Sequence, residues 1–527
     1  MCENSFHYTY LFHRLNVAFI RKYKVKGRVY LAEVESKRID GKVRQKVLRY
    51  LGVDPHQNKS VFPSRKEDLA LESSRVFGSV IALDFIANEL GLYALLGEHA
   101  KIILTLVFCH CHDYRSLADV ERWFHKTDLR QILGVEKISE KQLRDALSAL
   151  ANIDQLSLQK SIFENQSKIC GEIRSSVVYD VTNTYFFGKR CDLAKYGKNK
   201  ENDRSKRVMQ IGLAMTKEHG VPILHQVHRG NIHDSKIFAE TIIQLKRIGF
   251  RAGTIVYDRG MNAKSSILKL SSLHWKIIGG MPLHQGIKST ISKMDFSELE
   301  SFRNRIQQED TVFYGTTIPY QLDSVKGKLL ILLNPRKRLE IREKRLKKIK
   351  AIRNAHAAGK VVDIKMKKYF NKSGGINSHA IKRAEKYDGL SILFTTGKLS
   401  REDIVQIYFG KDLIEKAFQC FKGVLALRPV RHWLENNVRA HIMICYLAYV
   451  LLTTFRFKLN NYAKKSSISG ISVSRALSEL ADTYRVYFYN REQQKSNQDR
   501  KTLDSKLVQL SSLQEDILKA ISPTLIF

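Results

Sequence analysis

Residues 18–52 alternate apolar and charged positions with a period of two. A-F-I-R-K-Y-K-V and R-V-Y-L-A-E-V-E-S-K flank a K-G turn, and I-D-G-K at 39–42 turns into V-R-Q-K-V-L-R-Y-L-G. That pattern predicts antiparallel strands. From 67 to 165 the apolar spacing becomes helical, in E-D-L-A-L-E-S-S-R-V-F-G-S-V-I-A-L-D-F-I-A-N-E-L-G-L, S-L-A-D-V-E-R-W-F and S-E-K-Q-L-R-D-A-L-S-A-L. Ser139 with Gln142 three residues on predicts a capping box. With the L-G-V turn at 133–135 it outlines either a helix-turn-helix or an ordinary amphipathic helix pair. The middle of the chain changes again. S-S-V-V-Y-D-V-T-N-T-Y-F-F (175–187), R-V-M-Q-I-G-L-A-M-T (207–216) and V-P-I-L-H-Q-V-H-R-G (221–230) read as three strands in succession. A helix capped by Asp234, the strand G-T-I-V-Y-D-R-G (253–260), a second helix and the strand W-K-I-I-G-G-M-P (275–282) follow. The expectation is a mixed α/β sheet with a meander at one end.

Residues 283–390 interrupt this pattern with strands of a separate small sheet and a long charged helix, R-K-R-L-E-I-R-E-K-R-L-K-K-I-K. The pattern resumes at D-G-L-S-I-L-F-T-T (388–396). The most apolar run, Ile442 to Thr453, is shorter than the roughly 20 residues a membrane span needs and predicts a buried core helix. Residues 466–500 are polar and irregular towards their end, with R-E-Q-Q-K-S-N-Q-D-R-K (491–501) expected to be mobile. Leu503 to Ala520 reads as a final helix.

Composition adds a partner. Lys and Arg number 89 against 52 acids, a net charge of +37 spread along 527 residues. Such a surface seeks a polyanion, nucleic acid first and an anionic membrane second. The seven cysteines are irregularly spaced, as in reduced cytosolic thiols, and the N-terminus lacks the pattern of a signal peptide. Cys109, His110, Cys111 and His112 invite a zinc reading. Consecutive residues of one element point to different sides, however, so a partly buried helix end is the better expectation.

Three carboxylates carry the chemistry. Asp180 follows V-V-Y and Asp258 follows I-V-Y, each leaving an apolar strand, where an acid is costly unless paired or bound to a metal. Glu415 lies in Y-F-G-K-D-L-I-E-K-A-F-Q-C-F-K (408–422). On a helix, Lys411, Glu415 and Lys422 fall on one face. Three such carboxylates together would supply the hard, ionised oxygens that divalent cations need for phosphoryl transfer. No G-x-S-x-G, G-x-x-x-x-G-K-[ST] or Cys–His signature competes.

These residues resemble the DDE transposases of bacterial insertion sequences, in the subgroup with the signature Y-x2-R-x3-E-x6-K. Here it is Tyr408, Lys411, Glu415 and Lys422, with lysine where the family usually has arginine. The charge is kept but the bidentate fork is not. Y-D-V-T-N-T-Y-F, G-N-I-H-D (230–234), Y-D-R-G-M and R-P-V-R-H (428–432) also look like family patterns. The resemblance implies a ribonuclease-H-like mixed sheet with helices, interrupted by a β-rich insertion, beside a mainly helical N-terminal DNA-binding region. The implied boundaries are 1–66 for a basic β-hairpin region, 67–170 for the helical region, 171–282 and 388–460 for the catalytic domain, 283–387 for the insertion, and 461–527 for a C-terminal helical region. It implies cut-and-paste transposition, with Asp180, Asp258 and Glu415 holding two Mg²⁺ (or Mn²⁺ in their place). Tyr408, Lys411, Lys422 and Arg259 would bind DNA phosphates. The partners would be double-stranded DNA, as element ends and target, and a second copy on DNA, with no membrane. The setting would be the cytoplasm of a bacterium, at the nucleoid. The alternatives are a catalytically inactive DNA-binding relative and a nuclease that cuts without joining.

Overall fold

The computed structural model describes residues 18–25, 28–39, 42–53, 69–171, 176–186, 188, 190–197, 205–250, 252–357, 364–371, 373–428, 430, 432–463, 468, 470–490 and 504–525. Two compact units divide the chain, one of Met1–Ser74 and Arg485–Leu507, the other of Arg75–Tyr484 and Val508–Phe527.

In the first unit Ala18–Val25, Arg28–Ile39 and Lys42–Val53 form an antiparallel sheet, as the alternation predicts. The two turns fall outside the described residues. A second sheet orders Asp504–Leu507, Tyr484–Asn490 and Leu69–Val76. Leu69–Val76 is therefore a strand, not the start of a helix, because its ladder partner comes from the far end of the chain. The C-terminal stretch differs too. Val473–Ala481 is a helix capped by Ser472, Asp504–Leu507 is a strand, and the last α-helix is Ser512–Ile521. The polar run 491–501 lies outside the described residues.

The second unit is built on a ten-stranded sheet. Its first part runs Pro222–Arg229, Arg207–Thr216, Ser176–Phe186, Gly253–Tyr257, Trp275–Met281 across the sheet. The first three are antiparallel, and the last two lie parallel to Ser176–Phe186. The helices Asp234–Ile248 and Lys264–Ser272 make the crossovers that parallel pairing demands. His233, not Asp234, caps the first of them, and Asp234 accepts instead from Gln210 Nε2 at 3.1 Å.

The insertion does not form a separate sheet. Leu390–Thr395 pairs antiparallel with Trp275–Met281, and Val325–Leu333, Thr311–Leu322 and Arg305–Gln308 continue outwards from it. Leu329 to Leu333 is buried throughout, so this run needs sheet neighbours on both edges and cover on both faces.

Period-two alternation divides the two sides of the sheet. Tyr179 and Tyr257 face the helix Asp234–Ile248, with Phe238 ring centroids 5.1 and 4.7 Å from theirs. Gly212 and Gly279 sit where any side chain would strike those tyrosine rings. Val178 and Val256 face the opposite core, shared with Ile414, Phe418 and Phe421 and with the helix Glu435–Ala463. That helix has 29 residues, longer than its apolar run suggested, and is long and apolar enough to cross a membrane. Its most apolar window is 94% buried inside the protein, against Ala100–His112 and Glu140–Asn152 among others. Glu140–Asn152 carries the expected capping box and follows Leu129–Leu133 through Gly134 at φ 59°.

Candidate active site at the edge of the sheet

Asp180 and Asp258 occupy matched positions. The parallel register pairs Tyr179 with Tyr257, so each aspartate is the next residue after a matched pair. Asp258 directly follows the last strand residue, Tyr257, and caps a 3₁₀ turn, Arg259–Met261. Asp180 does not end its strand, which runs on to Phe186 paired only with Arg207–Thr216. What stops at Asp180 is the neighbour on the other side. By alternation both aspartates lie on the face of Val178 and Val256, the face covered by the helix Asp412–Lys422.

The expected single run from Tyr408 to Lys422 is split. Arg401–Phe409 begins at a capping box of Ser400 and Asp403, ends at Gly410, and Lys411 caps Asp412–Lys422. The break places two side chains on Asp258. Tyr408 Oη donates to Asp258 Oδ1 at 3.2 Å, and Lys411 Nζ stands 3.2 Å from the same oxygen. At the far end of the second helix, Lys422 Nζ donates to Thr182 Oγ1 at 2.6 Å, two residues along the strand from Asp180. Glu415 lies between Lys411 and Lys422 on one helical stripe and is exposed. One end of that stripe therefore touches Asp258 and the other touches the strand of Asp180. Arg259 is exposed on the turn, where its backbone N–H donates to Asp258 Oδ1 at 2.9 Å.

Electrostatics hold Asp258 ionised. Partial burial pushes its carboxyl up, but the charge of Lys411 and the hydrogen bonds from Arg259 N–H, Lys411 and Tyr408 outweigh it, leaving it below the usual carboxylate range. Burial and the nearby Asp258 charge push the Tyr408 hydroxyl up, so it stays a proton donor to the carboxylate.

Sequence reasoning gave no role to three supporting residues. A side chain at Gly280 would come within 2.9 Å of both Tyr408 Oη and Arg259 N, so glycine there is what admits the tyrosine. A G-G pair inside a strand pattern is the signal for such close approach. Thr182 receives Lys422, and Arg428 donates to the Asn183 carbonyl at 2.7 Å while lying 4.8 Å above the Tyr185 ring.

The donor set suits a hard divalent cation: carboxylate oxygens, two of them at one register step on adjacent strands. Among the described residues no three His, Cys, Asp or Glu side chains stand close enough to hold an ion. The positive charge beside Asp258 in this arrangement is Lys411. The C-H-C-H tetrad gathers no site either. Cys109, His110 and Cys111 are buried at the end of Ala100–His112, as expected.

The sequence profile of the family described as Transposase DDE domain matches residues 174–451, more than half of the chain and every residue of the site above. The chain belongs to this family and is a DDE transposase, an enzyme class that generally uses divalent metals. Among curated proteins, no sequence matches it. Among the solved structures that resemble it at low identity are two transposase complexes. One is the piggyBac transposase synaptic complex with hairpin DNA, at 12% identity and TM-score 0.38, over 76% of this chain and 79% of that one. The other is the Mos1 transposase paired-end complex with left transposon end, at 13% identity and TM-score 0.15, over 34% of this chain and 58% of that one.

Proposed function

We propose that the protein is a cut-and-paste transposase of the bacterial insertion-sequence type, in the subgroup with the Y-x2-R-x3-E-x6-K signature. The observation that carries this reading is the matched register of Asp180 and Asp258 under a helix whose stripe reads Lys411, Glu415, Lys422. The strand order, with three antiparallel strands and two parallel ones beside them, supports a ribonuclease-H-like core. Asp180, Asp258 and Glu415 would hold divalent cations, Mg²⁺ or Mn²⁺ in its place. Bound there, two such ions supply an activated water and neutralise charge on the leaving oxygen.

The residues of the chain do the rest. Lys411 and Tyr408 keep Asp258 ionised and oriented, and Lys411 and Lys422 present cations for phosphates of the bound strand. In cleavage, water attacks the phosphate at the element's end and the 3′-oxygen leaves as a hydroxyl. In joining, that 3′-hydroxyl attacks a phosphate of target DNA, and the 3′-oxygen of the target strand leaves as a hydroxyl. The helical region 67–170 would read the element ends, its helix pair Leu129–Leu133 and Glu140–Asn152 supporting a helix-turn-helix reading. Two ends in one complex require at least two copies on DNA. Such a protein works in the bacterial cytoplasm.

The test is an end-bearing duplex incubated with protein, Mg²⁺ and a target plasmid. Cleavage at the end together with joined product is expected. Cutting without joined product would make the protein a nuclease, and binding with neither would make it an inactive relative.

A further inference from the structure

A second cationic feature leaves the sheet at the edge where the aspartates lie. The registers Tyr179↔Tyr257, Tyr257↔Gly279, Met281↔Ile392 and Leu333↔Leu390 place the end of Gly253–Tyr257, the end of Trp275–Met281, the start of Leu390–Thr395 and the end of Val325–Leu333 along one edge. Asp258 stands just past that edge. So does Pro335, which starts the helix Pro335–Ala357 two residues after Leu333. Three strand spacings, about 14 Å, separate the two points across the sheet, and the register carries Pro335 about five residues farther along the strand direction, so they stand roughly 20 Å apart.

This helix of 23 residues, about 34 Å long, has two unlike faces. Arg338, Arg342, Arg345 and Ile349 recur at helical spacing and fasten it to the protein. Arg338 makes a bidentate pair with Glu300, Arg342 and Arg345 pair with the buried Asp388, and Ile349 is buried. The opposite face carries Arg336, Lys337, Lys344, Lys347, Lys348 and Lys350, all exposed. Glu340 and Glu343 share that side, yet among the described residues none of these six cations forms an ion pair with them or with any other acid. A merely solvated helix has no need of ion pairs that hold one face down while six cations and only two acids stand on the other. The mutual repulsion of the cations is relieved by a polyanion.

We propose that the exposed face of Pro335–Ala357 is a phosphate-backbone track for duplex DNA, engaging the same duplex whose scissile phosphate reaches Asp258. The helix spans about one duplex turn, and the offset of roughly 20 Å lies within that length. Its contacts are to phosphates and independent of sequence, so they extend the grip on DNA without reading it. The inference rests on the transposase reading above and deepens it.

The experiment measures affinity for an end-bearing duplex from about 50 to 200 mM salt, for the full chain and two variants. Lys344→Gln/Lys347→Gln/Lys348→Gln should flatten the slope of log affinity against log salt by about 0.9 per lost contact, or about 2.7 in all, with helical circular dichroism unchanged. Glu340→Lys/Glu343→Lys, which enlarges the cationic face, should steepen the slope and tighten binding. An unchanged slope in either variant, with the unaltered protein binding normally, overturns the proposal. Absence of DNA binding by the unaltered protein would instead sink the transposase reading itself.

Discussion

The acidic edge of the sheet and the core beneath it both collect ionisable groups, and they treat them in opposite ways. At the edge, Asp258 is half-exposed and meets a lysine, a tyrosine hydroxyl and a backbone N–H, so it stays charged. In the core, His110 donates from Nδ1 to the Leu425 carbonyl at 2.7 Å, while His441 and Cys445 lie close by. Burial is the largest influence on them, and the neighbouring imidazoles add to it for the histidines. It lowers His110 to about 4, lowers His441 further, and pushes the Cys111 and Cys445 thiols well up. Ionisable residues keep their charge here where partners hold it and solvent reaches it. Three of the four C-H-C-H residues, for all their suggestive letters, are core.

That contrast can be broken from either side. The largest effect should come from Glu415→Gln. Because Glu415 is exposed, stability should move by no more than about 0.5 kcal/mol, while Mg²⁺-dependent cleavage falls by about 10³-fold or more; calorimetry beside a cleavage assay reads both. Phe238→Ala should do the reverse. It removes the ring between Tyr179 and Tyr257 and should cost about 3–5 kcal/mol in denaturant unfolding. Lys411→Met removes the main cation holding Asp258 down. The Asp258 carboxyl should rise towards its ordinary range, the acid limb of the cleavage pH profile should move up, and the rate should fall by about tenfold to a hundredfold. Lys411→Arg should restore much of it.

The smallest effect concerns pH and stability. The unfolded His110 titrates near 6.5 and the folded one at about 4. Between those values the unfolded chain binds the extra proton. Stability is thus fully present above about pH 6.5 and lost as pH falls towards 4. His110→Gln should flatten part of the fall of the thermal midpoint across that window.

Much of this was legible in the residues. The order of strands and helices from 176 to 281 followed from period-two and period-3.6 spacing, because each element there is bounded by its own turn and cap signals. The stripe of Lys411, Glu415 and Lys422 followed from helical geometry. What was not legible depended on partners remote in sequence. Leu69–Val76 looks helical until Tyr484–Asn490 pairs with it. Val325–Leu333 looks like part of a separate sheet until Leu390–Thr395 joins it to the main one. Gly280 carries no chemistry of its own and matters only because Tyr408, far along the chain, needs its space.

The most direct measurement is Asp258→Asn, assayed for Mg²⁺-dependent cleavage of an end-bearing duplex with DNA affinity measured in parallel. If the edge of the sheet is the catalytic centre, cleavage should be abolished while binding and the folded state persist. Undiminished cleavage by a variant that folds and binds normally would place the chemistry elsewhere in the molecule.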